Sequence, residues 1–308
     1  MAKKKLTGDD IQLTFLAIPT FIWYIIFSYL PMFGLIIAFK DFKIAGKGFL
    51  SNLIKSDWVG FKNFEFLFAT KDAYIIIRNT LVYNIIFIIL GIVIPVTLAI
   101  MLNQLNNKRL AKFYQTSMFL PHFLSWVVVS YFVFSFLSSD KGLVNQILAS
   151  RGKEPVQWYM EKKYWPFILI FMNSWKTMGY NMIVYLAAIT GMDESYYEAA
   201  LMDGASKWQQ VKYITLPLLK PIVIIMFILS VGRIFNADFG LFYQIPKNSG
   251  ALFEVTDVLD TYVYRALSGT GSIGMSSAVA FFQSVVGCLM VVASNMIIRK
   301  VDKESALF

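Results

Sequence analysis

The pattern of apolar and polar positions divides this chain into six long apolar stretches separated by polar segments. A helix that crosses the roughly 30 Å hydrocarbon layer of a bilayer needs roughly 20 mainly apolar residues. We therefore predict an all-α membrane protein with six transmembrane helices, and we interpret residues 1–308 as a single transmembrane domain. The predicted spans are Leu13–Phe39, Thr80–Leu102, Ser117–Leu137, Trp165–Ile189, Leu216–Asn236 and Ala278–Ile298.

The distribution of lysine and arginine predicts the orientation of these spans. Six spans place both termini on one side, and the segments on that side, which include Lys3–Lys5, Arg299 and Lys300, are denser in basic residues. Basic residues are enriched in cytoplasmic segments, so we predict that both termini are cytoplasmic. The first apolar stretch is longer than the roughly 7–15-residue core of a signal peptide, so we interpret it as a span.

The composition supports the membrane class. Hydrophobic residues make up 57% of the chain and charged residues only 15%, whereas a soluble domain carries about 25% charged residues. The formal net charge of +9 is explained by lysines that flank the spans and meet anionic headgroups, so we predict no nucleic-acid partner. The single cysteine, Cys288, can form no intrachain disulfide.

The sequence lacks the motifs of an enzyme. It contains no G-x-x-x-x-G-K-[ST] phosphate loop, no catalytic triad and no H-E-x-x-H motif. His122 is the only histidine, and without a cysteine or paired carboxylates it suits a structural or solvated role rather than a metal site. We predict no catalytic residue, no metal site and no cofactor in this chain.

Two basic residues, Lys176 and Arg233, fall inside predicted spans. A charge near the bilayer centre costs at least about 2.5–3.5 kcal/mol, so such residues face a polar cavity or a partner. Polar groups on one helical stripe suit the hydroxyls of a carbohydrate, but hydrogen bonds between helices or an ion pair with Asp238 or Asp140 would serve equally. Helical spacing groups Asn173, Thr177 and Tyr180 with Lys176, and Ser230 and Asn236 with Arg233.

A polar segment between the fourth and fifth spans reads "EAALMDGASKWQQVKYITLP" (198–217). Serine three residues before Glu198 and before Gln209 gives two capping-box spacings. These predict two short helices, from about residue 196 to 203 and from about 206 to 213. Gly204 joins them because glycine adopts positive φ without strain, and Pro217 suits the first turn of the next span.

The function of this segment is left open by its residues alone. Its exposed surface includes apolar side chains such as Leu201, Met202 and Trp208, which are too apolar for a plain linker. Docking of a partner protein and binding to the headgroup surface of the membrane fit equally well.

The same segment resembles the EAA loop of permease subunits of binding-protein-dependent ABC importers. The residues that carry this resemblance are Glu198-Ala199-Ala200, Gly204 and Ile214-Thr215-Leu216-Pro217, and the extended sugar-permease form is matched by Asp203-Gly204-Ala205 and Trp208. The segments "RNTLVYN" (78–84), "LPHFLSWVV" (120–128), "NSWKTMGYNM" (173–182) and "IGMSSAVAFF" (273–282) are similar to the maltose-type, carbohydrate-importing branch. The short basic N-terminus resembles oligosaccharide or polysaccharide permeases of Gram-positive bacteria.

This resemblance implies a type I ABC importer permease fold with cytoplasmic coupling helices at about residues 193–215. It implies a multi-pass protein of the bacterial cell membrane that pairs with a second, homologous permease, as a heterodimer. Two ATPase subunits would bind ATP and Mg below the pair, and an extracellular solute-binding lipoprotein would deliver the carbohydrate. The chain itself would be a transporter subunit and not an enzyme.

The resemblance also assigns residues to two roles. The ATPase-coupling residues would be Glu198, Ala199, Ala200, Asp203, Gly204, Ala205, Trp208, Ile214, Leu216 and Pro217. The substrate pathway would include Asn173, Lys176, Thr177, Tyr180, Ser230, Arg233 and Asn236. Two alternatives remain: the same machinery for a different polar solute, and an ion-coupled secondary transporter, although no span carries a central acidic residue.

Overall fold

The structure, a computed structural model, describes residues 8–44, 48–69, 71–303 and 306; Lys3–Lys5 lie outside these ranges. Helices dominate the described residues. The helices are α1 (Gly8–Tyr24), α2 (Phe49–Lys55), α3 (Phe66–Ala69), α4 (Lys71–Asn103), α5 (Lys108–Phe123), α6 (Trp126–Leu137), α7 (Leu143–Ser150), α8 (Trp165–Thr190), α9 (Ser195–Met202), α10 (Lys207–Gln210), α11 (Leu216–Val231), α12 (Phe253–Thr256), α13 (Leu259–Thr270) and α14 (Ile273–Val301). Two short strands, β1 (Lys40–Asp41) and β2 (Asp57–Trp58), pair antiparallel.

Four helices of the described chain are long and apolar enough to cross a membrane, namely Gln12–Phe39, Asp72–Asn103, Lys207–Val231 and Ile273–Lys300. The bent pair α5 and α6 makes a fifth if it counts as one span. The 26-residue helix α8 is long enough, but its polar residues lower its hydropathy. The described helices are consistent with six spans, and the exact number stays a prediction.

The third predicted span, Ser117–Leu137, is not one straight helix. It breaks between α5 and α6, and the two helices are bent by 98°. Pro121 lies in the last turn of α5, and Ser125 caps α6 through a hydrogen bond from the Val128 N–H to its Oγ atom (3.3 Å). A serine that accepts a bond from the N3 amide starts a new helix, so the apolar run conceals a helix boundary.

The fifth predicted span, Leu216–Asn236, is shifted towards the N-terminus. A continuous helical run begins at Lys207 and passes through a π-helical turn, Val211–Thr215, before it ends at Val231. Pro217 therefore lies inside this run rather than at its start. Because proline has no N–H to donate to residue 213, the wider π turn accommodates it without a break.

The described chain forms two compact units, and its interpretation as a single transmembrane domain stays a prediction. The described part of the first unit lies within residues 8–69 and 266–282. Its aromatic cluster contains Phe39, Phe64 and Phe281, with ring centroids 5.2–6.0 Å apart. Lys40 is buried and donates hydrogen bonds to the carbonyl oxygens of Leu53 (2.8 Å) and Ser56 (3.2 Å), which closes the C-terminal end of α2.

The described part of the second unit lies within residues 71–265 and 283–306. Its apolar side chains form two clusters at different heights along α4 and α8. One cluster contains Tyr83, Trp165 and Leu169, and the other contains Val96, Tyr185 and Leu219. Between the two clusters, the surface of α8 that faces α4 carries polar residues, and this arrangement positions the candidate site.

Helix α5 packs directly on the backbone of α8. A Cβ atom on Gly179 would lie 2.0 Å from the carbonyl oxygen of Met118, and 2.7 Å from the Phe119 nitrogen. Only glycine permits this approach, since the obstructing atoms belong to backbone and cannot rotate away.

We expect Gly179→Ala to lower the free energy of unfolding by about 1–3 kcal/mol, because the added methyl group forces α5 and α8 apart. Gly91→Ala is the matched control: it also lies mid-helix, and its Cβ would meet its nearest neighbour, the Asn181 amide nitrogen, at 3.9 Å. Thermal unfolding of the purified chain in detergent measures both. Equal melting temperatures for the two variants would contradict the close packing of α5 on α8.

Candidate functional site

A cavity of about 320 Å³ lies between α4, α8 and the end of α11 in the second unit. Its apolar wall is formed mainly by Phe87, Ile88, Ile92 and Met226. The polar lining consists of Asn84, Asn173, Thr177, Asn181, Tyr185, Ser230, Arg233, Asn236 and Asp238. A pocket with apolar walls and several convergent polar groups is typical of a binding site for a small polar molecule.

Helix α8 presents four polar side chains to the cavity at four-residue intervals. Asn173, Thr177, Asn181 and Tyr185 recur at i, i+4, i+8 and i+12 and line one face. The Thr177 hydroxyl donates to the Asn173 carbonyl oxygen (2.8 Å) of its own helix. Within the described chain the side-chain amides of Asn173 and Asn181 form no hydrogen bond, so both are available to the hydroxyls of a ligand.

The opposite wall is the irregular segment after α11. Asn84 on α4 donates through its Nδ2 atom to the carbonyl oxygens of Ile234 (2.8 Å) and Asn236 (3.1 Å). Gln283 on α14 donates to the Phe235 carbonyl oxygen (2.8 Å). These amides satisfy carbonyl groups of the non-helical segment that follows α11. Arg233 and Asn236 therefore reach the cavity from a turn, not from the helical stripe that the sequence predicted.

The charged lining residues differ in how they are held. The Asp238 carboxylate accepts hydrogen bonds from the Trp126 indole N–H (2.7 Å) and from the Leu241 N–H (3.2 Å). The Arg233 guanidinium is exposed, and no hydrogen bond or ion pair of the described residues involves its side chain. The cavity therefore combines a fixed carboxylate with an available cation.

Asp260 supports the same segment from outside the cavity. Its carboxylate accepts a hydrogen bond from the Ala237 N–H (2.7 Å) and a longer one from Gln283 (3.3 Å). Burial raises the pKa of the Asp260 carboxyl above its ordinary value, and the nearby charge of Asp238 acts in the same direction.

Two residues of the predicted stripe lie elsewhere. Lys176 points towards α5, where its ammonium donates to the carbonyl oxygens of Pro121, His122 and Leu124. Tyr180 stacks on His122, with ring centroids 4.5 Å apart and an interplanar angle of 11°. The structure thus brings Asn173, Thr177, Ser230, Arg233 and Asn236 together and directs Lys176 and Tyr180 to another face of α8.

Sequence reasoning missed four polar lining residues. Asn84, Asn181, Tyr185 and Asp238 line the cavity beside the predicted set, and Trp126, which is not itself a lining residue, holds Asp238. The signal for Asn181 was present, because it continues the spacing of Asn173 and Thr177. Asn84 and Asp238 come from distant parts of the chain, and no local pattern connects them.

The polar segment after α8 forms a bent pair of helices, α9 and α10. Gly204 joins them with φ +79°, and the Ala205 N–H donates to the Ala200 carbonyl oxygen (2.9 Å). A Cβ on Gly204 would meet no atom within 4 Å. Glycine is therefore required by the backbone conformation and not by space.

The first predicted capping box is absent and the second is present. At the start of α9, the Asp193 carboxylate rather than a serine hydroxyl accepts a hydrogen bond, from the Ser195 N–H (2.9 Å). This contact holds the pKa of Asp193 below its usual value. At α10, the Gln209 side chain accepts from the Ser206 N–H (2.7 Å), while the Gln209 N–H donates to the Ser206 hydroxyl (3.4 Å).

A hydrogen bond ties α9 to the helix that leads to the cavity. The Tyr197 hydroxyl lies 3.0 Å from Thr215 Oγ1, in the π turn before α11. On the outer side, Met202 and Trp208 are 87% and 71% exposed, and Glu198, Ala199 and Asp203 are exposed as well. The segment therefore presents an apolar surface outwards and is anchored inwards at Tyr197.

The chain has clear relatives among known proteins. The family described as binding-protein-dependent transport system inner membrane component matches residues 91–303. The polygalacturonan/rhamnogalacturonan transport system permease protein YteP of Bacillus subtilis (strain 168) is 34% identical over 93% of this chain and 87% of that protein. Protein LplB of the same organism is 34% identical over 96% and 91%.

Solved structures show the same fold. A chain of a bacterial ABC transporter involved in the import of the acidic polysaccharide alginate has a TM-score of 0.83 and 33% identity, covering 96% of this chain and 97% of that chain. The alginate transporter in complex with an alginate pentasaccharide-bound periplasmic protein also gives a TM-score of 0.83, at 32% identity. The resemblance inferred from the loop motif and the predicted all-α type I permease fold are confirmed.

Proposed function

This chain belongs to the family of inner membrane components of binding-protein-dependent transport systems, and we propose that it is the permease half of an ATP-driven importer for oligosaccharides. Membership of this family agrees with the prediction of a multi-pass transporter subunit that is not an enzyme. The observation that carries the proposal is the continuous helical run Lys207–Val231, which joins the exposed polar loop at one end to the cavity at the other.

The loop is proposed as the docking site for partner ATPases. Its exposed face combines apolar side chains, Tyr196, Leu201, Met202 and Trp208, with the acidic Glu198 and Asp203. A partner that closes on this face would move α9, and the Tyr197–Thr215 contact would pass the motion to α11. In this proposal ATP and Mg are bound by two ATPase chains, and Glu198, Ala199, Ala200, Asp203 and Gly204 form the docking helix and its turn.

The remaining assembly is also proposed from the family. A second, homologous permease would complete the pathway, and a binding protein outside the cell would deliver the sugar, with both termini of this chain in the cytoplasm. Purification of the tagged chain from its native membrane should recover two ATPase chains and one further permease. Recovery of this chain without any ATPase would contradict the proposed assembly.

We expect Gly204→Val to uncouple transport, because a β-branched residue at φ +79° is strongly strained and the turn between α9 and α10 must change. Gly204→Asn is the matched control, since asparagine tolerates positive φ. Uptake of labelled oligosaccharide should fall about tenfold or more in the valine variant and stay near normal in the asparagine variant. Normal uptake by the valine variant, with its ATPases bound, would exclude this role for the loop.

We further propose that the transported oligosaccharide is acidic. The Arg233 guanidinium is exposed in the cavity and has no partner among the described residues, and guanidinium binds carboxylates through paired hydrogen bonds. The neutral amides of Asn173 and Asn181 suit sugar hydroxyls. The named substrates of two relatives, alginate and polygalacturonan, are acidic polysaccharides, which supports the same class for this chain.

We expect Arg233→Gln to lower uptake of uronic-acid oligosaccharides about tenfold or more, because a charge-assisted hydrogen bond contributes about 1.5–3 kcal/mol. Arg233→Lys should retain part of the activity, since lysine keeps the charge but loses the bidentate geometry. The control is Arg151→Gln, which removes the same charge from an exposed position outside the cavity. An equal decrease for acidic and neutral oligosaccharides would argue against a carboxylate contact.

The alternative that the same machinery transports a different polar solute is tested separately. Calorimetric titration of the binding protein with sugars and with other polar solutes shows which class it binds.

A further inference from the structure

The break between α5 and α6 leaves backbone carbonyl groups without helical partners. Helices end with open carbonyls, and in a bilayer water does not satisfy them. The ammonium of Lys176 reaches the break from α8 and donates to the carbonyl oxygens of His122 (3.0 Å), Leu124 and Pro121 (3.3 Å), of which the Pro121 oxygen also accepts the Leu124 N–H (3.2 Å). An ammonium has three N–H donors, so these three acceptors use all of them.

Lys176 also fixes the first residue of α6. Its ammonium lies over the indole of Trp126, 5.2 Å from the ring centroid. Gly240 confines the indole, because a Cβ there would lie 2.1 Å from Trp126 Cδ1. A cation over an indole face is attracted to it, and more strongly where water is excluded. The orientation of Trp126 is therefore set by Lys176 and by the backbone at Gly240.

The oriented indole determines where the carboxylate of the cavity lies. The Trp126 N–H donates to one oxygen of Asp238 (2.7 Å), while the other oxygen accepts from the Leu241 N–H (3.2 Å). Asp238 and Arg233 line the same cavity, but the described residues form no ion pair between them. The carboxylate is hydrogen-bonded by neutral donors although the lining of the same cavity includes an unpaired guanidinium.

We propose that Lys176 and Trp126 are positioning residues that keep the Asp238 carboxylate against the wall of the cavity and so keep Arg233 unpaired. Without the indole N–H, the carboxylate would turn towards Arg233 and neutralise it. Lys176 then acts on the charge of the cavity through the helix break and the indole and not by contact with the transported molecule. This proposal rests on the proposed function only in taking the cavity as the substrate-binding site. The arrangement of charges in the cavity can be measured without any sugar.

The test measures the local charge of the cavity in the assembled transporter in detergent. The native Cys288 is replaced by serine, and Asn236→Cys places a thiol on the exposed cavity lining. The measured quantity is the ratio of reaction rates with an anionic and a cationic methanethiosulfonate reagent. A change of one unit charge nearby shifts this ratio by about three- to tenfold.

Trp126→Phe is the decisive variant because it removes the N–H donor without changing any charge. We expect it to lower the anionic-to-cationic ratio about three- to tenfold, and we expect no such decrease when Asp238→Asn is also present. Lys176→Met should lower the ratio in the same way, Lys176→Arg should restore it, and Asp238→Asn should largely cancel the effect of Lys176→Met.

Two results would overturn the proposal. An unchanged ratio in Trp126→Phe would show that the indole does not control Asp238. An undiminished effect of Lys176→Met in the Asp238→Asn background would show that the lysine acts by its own charge. A variant that only disturbs packing changes both reaction rates alike and leaves the ratio unchanged. Because no sugar is used, these results are independent of the test on Arg233 and acidic oligosaccharides.

Discussion

The fold of the second unit depends on one constraint: backbone groups at membrane depth need partners that water cannot supply. Where its helices are interrupted, long polar side chains from neighbouring helices supply them. Lys176 satisfies the carbonyls at the break between α5 and α6, and Asn84 and Gln283 satisfy those after α11. Each unsatisfied group would cost about 1–3 kcal/mol, so these side chains make the interruptions tolerable.

The interruptions are what make the cavity. A straight α11 would continue its apolar surface past α4, whereas the turn after Val231 brings Arg233, Asn236 and Asp238 to one wall. Gly232 and Gly287 allow this turn to pack on α14, since a Cβ on Gly287 would lie 2.4 Å from the Gly232 carbonyl oxygen. On α8, the side chains that line the cavity, Asn173 and Asn181, differ from the one that satisfies the helix break, Lys176, whereas Asn84 on α4 does both.

The sequence predicts local features such as turns and helix caps well, but it does not predict where the long helices are interrupted. The loop was predictable because its signals are local: Gly204 does adopt positive φ, and the box at Ser206 and Gln209 forms. The break after Phe123 was missed because apolar composition continues through it. The stripe on α8 was predicted as one face, yet Lys176 and Asn173 serve different neighbours, because α5 and α4 pack on different sides and spacing alone does not reveal which.

The C-terminal ends of α2 and α5 are both closed by a lysine from elsewhere in the chain, because the lysine side chain is long enough to reach them. Lys40 closes α2 and lies 5.0 Å from the Trp58 ring centroid, just as Lys176 closes α5 and lies over Trp126. A compact ammonium on a long stem satisfies several carbonyls that point to one spot, whereas a planar guanidinium distributes its donors across a fork.

The link between loop and cavity has a stiff part and a compliant part. The helical run Lys207–Val231 has 25 residues, which corresponds to about 37 Å along its axis. Its irregularities, the π turn Val211–Thr215 and two prolines, all lie on the loop side of Met226 and Ser230. In the proposed mechanism, a displacement of α9 transmitted through Tyr197 and Thr215 would bend the helix near the loop. The regular turns beyond Pro221 would then move as one body and carry the cavity wall with them.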